Sequence, residues 1–302
     1  MFLLKNTHLF FLLFSLAFFS TNAQEEVSFL TKSDTLNRAR LNGVYISEAA
    51  IATTTLIGLN QLWYADYDRS KFHFINDNSD WLQMDKVGHA FSAYQLGRLS
   101  MSAMDWAGAT KKDQLLYGAT LGFAFLTTVE ILDGFSSEWG ASPGDLIANA
   151  AGTAILIGQE LAWNEQRISF KYSFHQTDYA ALNPPVLGEN LVQQALKDYN
   201  GQTYWLSANV WSFAKESNFP KWLNIAFGYG AEGMLASQPG HELETSPRYR
   251  QFYASFDVDL TKIETKSKVL QTIFTTLNFI KIPAPALEFT SNGKIKGHWI
   301  YY

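Results

Sequence analysis

Asp85, Lys86, His89, Glu130 and Asp145 are ionisable residues in, or at the ends of, stretches that are otherwise apolar. Burying a charge is costly unless it is paired or bound, so this set implies a polar site among packed helices. Asp85 and His89 are four residues apart and share a helix face. An imidazole with two carboxylates, here His89, Glu130 and Asp145, can hold one divalent metal ion and leave positions for water or substrate. Without a metal the same three could work as catalytic acid and base, because histidine titrates near neutrality and burial raises carboxylates towards it. Asp85 would then orient His89, and Asn149 flanks Asp145. A third reading needs no substrate: Asp85, Lys86, His89, Glu130 and Asp145 form a buried network that fixes helix register. In that reading Asp145 is also a first-turn acid favoured by the helix dipole.

Four helices are expected to position these groups, over residues 43–65, 85–106, 115–132 and 143–163. The last has the clearest start, with Ser142 as N-cap, Pro143 at the first helical position and Asp145 in the first turn. Ala148 with Gly152, and Ala154 with Gly158, put small residues four apart, where another backbone can approach closely. After Arg167 the character changes. Residues 189–199 read as a short polar helix, and 204–213 and 223–229 as aromatic strand-like runs. Residues 251–260 alternate cleanly, with Phe252, Ala254, Phe256, Val258 and Leu260 on one face, as in a half-buried strand. A helix over 268–279 follows, ended by Pro283 and Pro285, and then a hairpin turning at Asn292-Gly293.

The expected fold class is therefore mainly α: a four-helix bundle over residues 24–167, then a smaller C-terminal α+β part, 168–302, with an antiparallel hairpin. About five strand-like segments are too few for an outer-membrane barrel, which needs at least about eight.

The 302 residues are 47% apolar, 15% aromatic and 17% charged, with net charge −5 and no cysteine. The usual charged share is about 25%, so the chain is either densely packed or in contact with lipid. The acidic balance and the lack of a basic run exclude nucleic acid as a partner. Lack of cysteine excludes thiol catalysis, disulfides, thiolate zinc sites and a lipid anchor on an N-terminal cysteine. Lys5 and His8, the apolar run 9–19 and Ala23 form a secretory signal cleaved after Ala23. The expectation is an exported protein of the periplasm or envelope membrane of a diderm bacterium. The bundle would be either free in the periplasm or embedded in the membrane, the expected partner, and aromatic Trp63, Tyr64, Trp106 and Trp163 at helix ends favour the membrane.

Asp85-Lys86-Val87-Gly88-His89, followed by Glu130 and then by Asp145-Leu146-Ile147-Ala148-Asn149-Ala150-Ala151-Gly152, resembles two envelope families. One is the domain of unknown function of YfiM-type predicted periplasmic lipoproteins; the other, more distant, is the VanZ-like membrane proteins. Both carry Asp-Lys-x-x-His at a helix start, a Glu ending a later helix and an Asp-x-x-x-Asn-x-x-Gly helix. The resemblance covers about residues 40–165 and implies a place in the envelope more than a reaction. Two departures weaken the VanZ-like pattern: Asp133 stands where that family has Gln, and no Arg lies between Glu130 and Asp145.

The expected function is that of an exported envelope protein with a structural or ligand-binding polar network, the ligand a small molecule or lipid. The alternative is a metal- or acid/base-dependent hydrolase or transferase acting on an envelope lipid or cell-wall precursor. His73, His175, His241 and His298 are expected in loops or near turns, with no acid at ligand spacing on a common element. Ser136 and Ser137 lack a nucleophile's strand–turn–helix context, and Gly228-x-Gly230-x-x-Gly233 reads as a turn region.

Overall fold

The computed structural model describes residues 29–61, 67–244 and 247–302. The expected signal segment, residues 1–23, lies outside them, as do Trp63 and Tyr64. The unit Lys32–Tyr302 carries the fold.

Helix α1, Arg38–Leu59, begins under an Asn37 cap whose side chain accepts from Arg40 N. Helix α2 is Met84–Trp106. The expected third helix is interrupted: a turn at Lys111–Asp113, capped by Thr110, runs into a π-helical turn, Gln114–Gly118, and then α3, Leu121–Asp133. Helix α4, Pro143–Trp163, starts where its capping residues require, with Ser142 Oγ accepting from Asp145 N.

Helix α2 is the centre of the helical layer, crossed by α4 and α3. The crossings are close because Gly152 lies against the Ala90 carbonyl and Gly122 against the Ala93 carbonyl, where a Cβ would collide with backbone. Of the small residues noted at four-residue spacing, Gly152 is used this way and Gly158 meets nothing. The other side of α2 meets the C-terminal half, where Phe91 packs on Phe170, Tyr172 and Tyr204, ring centroids 5.5–5.8 Å apart.

That half corrects the expected fold class. It is a six-stranded antiparallel meander, not a bundle's appendage with one hairpin: β1 Ile168–Phe174, β2 Gln202–Asn209, β3 Leu223–Glu232, β4 Tyr249–Val258, β5 Ala284–Thr290 and β6 Ile295–Tyr301. Helix α5, Leu191–Lys197, precedes β2, and α6, Lys268–Leu277, precedes β5. Strand β1 went unread although Ile-Ser-Phe-Lys-Tyr-Ser-Phe alternates; its burial pattern is masked in the sequence by the polar members facing inward.

The register sorts side chains into cross-sheet rows. Phe170, Leu206, Phe227, Ala254 and Leu287 form one row, and Tyr172, Tyr204, Tyr229, Phe252 and Phe289 the next. The alternate rows point the other way, are buried, and set polar groups among apolar ones: Ser169, Ser207, Ala226, Ser255 and Ala286 in one, Lys171, Trp205, Gly228, Tyr253 and Glu288 in another. The expected half-buried strand at 251–260 is thus buried on the face opposite to its apolar one.

The sheet rolls around this polar face. Tyr301 of β6 reaches Thr203 of β2 (Oη to Oγ1 3.0 Å) and donates to Tyr253 Oη (2.8 Å). The chain before β5 pairs with the free edge of β1, Tyr172 N donating to Phe279 O and Lys281 N to Tyr172 O. Inside, Lys171 Nζ is 2.8 Å from Asp257 Oδ2, both side chains fully buried, and Lys281 Nζ stands 4.9 Å from the Trp205 ring centre. Gly228 is needed in β3 because a Cβ there would strike the Trp205 ring. The Gly228–Gly233 segment is therefore largely strand rather than turn.

Candidate functional site

Backbone strain presents the start of α2. Trp81, Leu82 and Gln83, which precede it, all have left-handed φ, at 48°, 50° and 66°, a conformation uncommon for non-glycine residues and held only where surroundings demand it. The C-terminal half supplies that demand. Tyr229 Oη donates to Leu82 O, Trp81 N donates to Ser237 O at 3.0 Å, and Arg250 Nη2 donates to Gln83 Oε1 at 2.6 Å. The turn aims Asp85, Lys86 and His89 at the start of α4.

Lys86 Nζ is the hub of one half of the cluster, 2.6 Å from Asp77 Oδ2, 2.9 Å from Asp145 Oδ1 and 3.1 Å from Asp85 Oδ2. His89 is the hub of the other. Its Nδ1 lies 3.0 Å from Asn149 Oδ1; an amide oxygen only accepts, so Nδ1 carries a proton and donates. Nε2 faces three carboxylates: Glu130 Oε1 at 3.8 Å, Asp85 Oδ1 at 3.9 Å and Asp145 Oδ1 at 4.0 Å. Those distances exceed a hydrogen bond. Glu130 reaches the site from the end of α3, where its Oε2 accepts from Ser142 N at 2.9 Å. Asp145 Oδ1 is buried with the Lys86 ammonium as its neighbour, and the buried Asn149 Nδ2 has no hydrogen-bond partner among the described residues.

The cluster is closed on one side and open on the other. Glu130 and Asp145 side chains are 3% and 5% exposed, whereas Asp85 and His89 are 22% and 18% exposed. Burial pushes Asp145 up to about 7, helped by the charge of Asp85 and opposed by His89 and Lys86. Burial alone would lower His89, but Asp85, Asp145 and Glu130 outweigh it and raise the imidazole above its ordinary value. Burial would likewise raise Asp85, yet His89, Lys86 and the Tyr199 hydroxyl together hold it below the usual range. Four carboxylates, Asp77, Asp85, Glu130 and Asp145, face two cationic groups, Lys86 and His89, and burial raises Glu130, like Asp145, to about 7.

All five ionisable residues singled out in the sequence, and Asn149, come together here. Two partners were missed. Asp77 lies in a loop dense in Asp and Asn, with nothing to distinguish it from its neighbours. Tyr199, whose Oη donates to Asp85 Oδ1 at 2.7 Å, comes from the C-terminal half. Among the other histidines, His298 lies on β6 of the closing hairpin, with Nε2 2.7 Å from Glu288 Oε2 on the neighbouring β5. Glu244, beside His241, is an acceptor for Arg248.

Chemically, Asp85, His89 and Asp145 offer ligand atoms all within 4.8 Å of one another. Metal–ligand bonds of about 2.0–2.2 Å in a tetrahedral shell put ligand atoms about 3.4 Å apart, so these side chains would close in by about 1 Å to hold an ion, with Glu130 as a further oxygen donor.

Residues 73–158 match the family model described as Predicted periplasmic lipoprotein (DUF2279). This is the YfiM-type family whose residues the sequence resembled, and the match spans the whole cluster from Asp77 to Asn149 except Tyr199. A periplasmic family accords with an exported protein at the periplasm or envelope. The VanZ-like resemblance has no counterpart in the comparisons. Neither a curated protein nor a solved structure matches the chain.

Proposed function

We propose that His89, Asp85, Asp145 and Glu130 bind a divalent metal ion, and that the protein uses it at the envelope for hydrolysis or group transfer on an envelope lipid or cell-wall precursor. The observation that carries this reading is the environment of His89 Nε2. Three carboxylate oxygens surround it at 3.8–4.0 Å, none hydrogen-bonded to it, while Nδ1 is held by Asn149. A histidine whose second nitrogen is fixed by a hydrogen bond is the usual form of a metal ligand. Mixed imidazole and carboxylate donors suit zinc or manganese better than calcium. A bound ion would displace the protons that burial favours on Glu130 and Asp145, and the exposed edge at Asp85 and His89 would admit water and substrate.

Lys86 favours a second reading. Its ammonium already bridges Asp77, Asp85 and Asp145, which is what a purely structural network needs.

The deciding experiment is elemental analysis of protein purified without chelator, wild type beside His89→Ala, with folding followed by circular dichroism. Near-stoichiometric zinc or manganese in wild type, lost from a folded variant, supports the metal site. Metal-free wild type that takes up neither ion on titration overturns it and leaves the structural network.

A further inference from the structure

We infer that the outward face of β3–β5, beyond the part of the sheet that α2 covers, is seated in membrane hydrocarbon. A sheet that meets water on one side turns its polar side chains outward. This sheet does the reverse: Ile225, Phe227, Phe252, Phe256, Leu287 and Phe289 are exposed, Phe227 at 60% and Phe256 at 56%. Lys171, Asp257 and Glu288 occupy the enclosed face. Apolar-outward, polar-inward alternation is the pattern of strands whose outer medium is lipid.

Three further observations select lipid over a protein partner. From Val258 to Phe252 on β4, and over the facing Leu223 to Phe227 of β3 before Tyr229 meets Leu82, no outward position carries a charge, and Arg250 is the first to do so. At about 3.3 Å per residue that stretch is about 20 Å long, against about 25 Å for the apolar band of a membrane barrel. At the Val258 end lies α6, with Val269, Leu270, Ile273 and Leu277 exposed, and Lys266 and Lys268 beside them, the composition of a helix lying in a membrane interface. Finally, the helical stretch Lys111–Asp133 is, among the described residues, long and apolar enough to cross a membrane, and only 22% of its apolar window is buried within the protein. A second copy of the chain would cover one bounded patch; exposure distributed over sheet and helices fits a continuous apolar medium.

The native chain has no cysteine, so single sites can be labelled. Full-length Phe227→Cys and Leu287→Cys proteins, spin-labelled and reconstituted in vesicles of phosphatidylethanolamine and phosphatidylglycerol, would be compared with Glu242→Cys in an exposed loop. Collision with oxygen several-fold stronger, and with a water-soluble nickel chelate several-fold weaker, than at Glu242→Cys is the expected result at both sites. Nickel access equal to that at Glu242→Cys would overturn the inference in favour of water. Low access to both reagents would overturn it in favour of a protein partner. Flotation of the unmodified protein with the same vesicles is an independent check; protein left at the bottom of the gradient also overturns the inference.

Discussion

The Tyr199 hydroxyl donates a 2.7 Å hydrogen bond to Asp85 Oδ1, joining the turn before β2 to the first turn of α2. Tyr199 also stacks on Trp81, centroids 5.3 Å apart, at the strained turn that presents Asp85. The C-terminal half thus positions one carboxylate of the cluster directly and aims the rest through the backbone.

Removing that hydroxyl should loosen the site without abolishing it. Tyr199→Phe is expected to weaken binding of zinc or manganese about 10-fold or more, the usual effect of losing a partner of a ligand, and to cost about 2 kcal/mol of stability, as for a hydrogen bond to a charged group. Metal titration and urea denaturation read the two effects separately. Unchanged affinity would mean that Asp85 is not a ligand.

Ser142 caps α4 through Oγ, donates its backbone N–H to Glu130 and its hydroxyl to Asp77 Oδ1 at 2.5 Å. Ser142→Ala keeps only the backbone bond. A loss of about 1–2 kcal/mol is expected, the range for N-cap removal, measured as a lower denaturation midpoint with unchanged slope.

Lys171 and Asp257 form an ion pair inside the rolled sheet with both side chains fully buried. Lys171→Met removes the partner of Asp257 and leaves it with Ser207, the Ile282 N–H and the charge of Lys281. The expected cost is about 3–5 kcal/mol, typical of removing one partner of a buried pair. Thermal unfolding should show it, and a change below 1 kcal/mol would mean that water reaches this interior.

Lys281 gives stability a particular pH dependence. Burial lowers it to about 8 from an ordinary 10.5, against the opposing pull of Asp257. Between those values the unfolded chain holds a proton that the folded chain has released, so stability rises with pH. Below about 8 the penalty is fully present. The rise, up to about 3 kcal/mol, should be visible from pH 8 to about 10. Beyond that, buried tyrosines such as Tyr199 and Tyr204, raised by burial, oppose it. Lys281→Met should flatten the rise in a denaturation series; an unaltered slope would place its source elsewhere.

The candidate site was legible because charge in apolar helices is costly enough to be informative. Asp85, Lys86, His89, Glu130, Asp145 and Asn149 could be grouped from their types and spacing, and α4 could be started at Ser142 from capping chemistry alone. Local signals of this kind depend on residues a few positions apart, and the sequence holds them completely.

What the sequence by itself determined, then, is where α2 and α4 begin and which of their residues share a face. What only tertiary structure decided is which side of each strand is inside. Alternation along β4 marks two faces but assigns neither to the interior, because that depends on the medium outside and on the polar partners waiting inside. Asp257 is buried because Lys171, from a strand 86 residues earlier, lies against it. Tyr199 belongs to the site for the same reason: a contact across 114 residues leaves no local pattern to read.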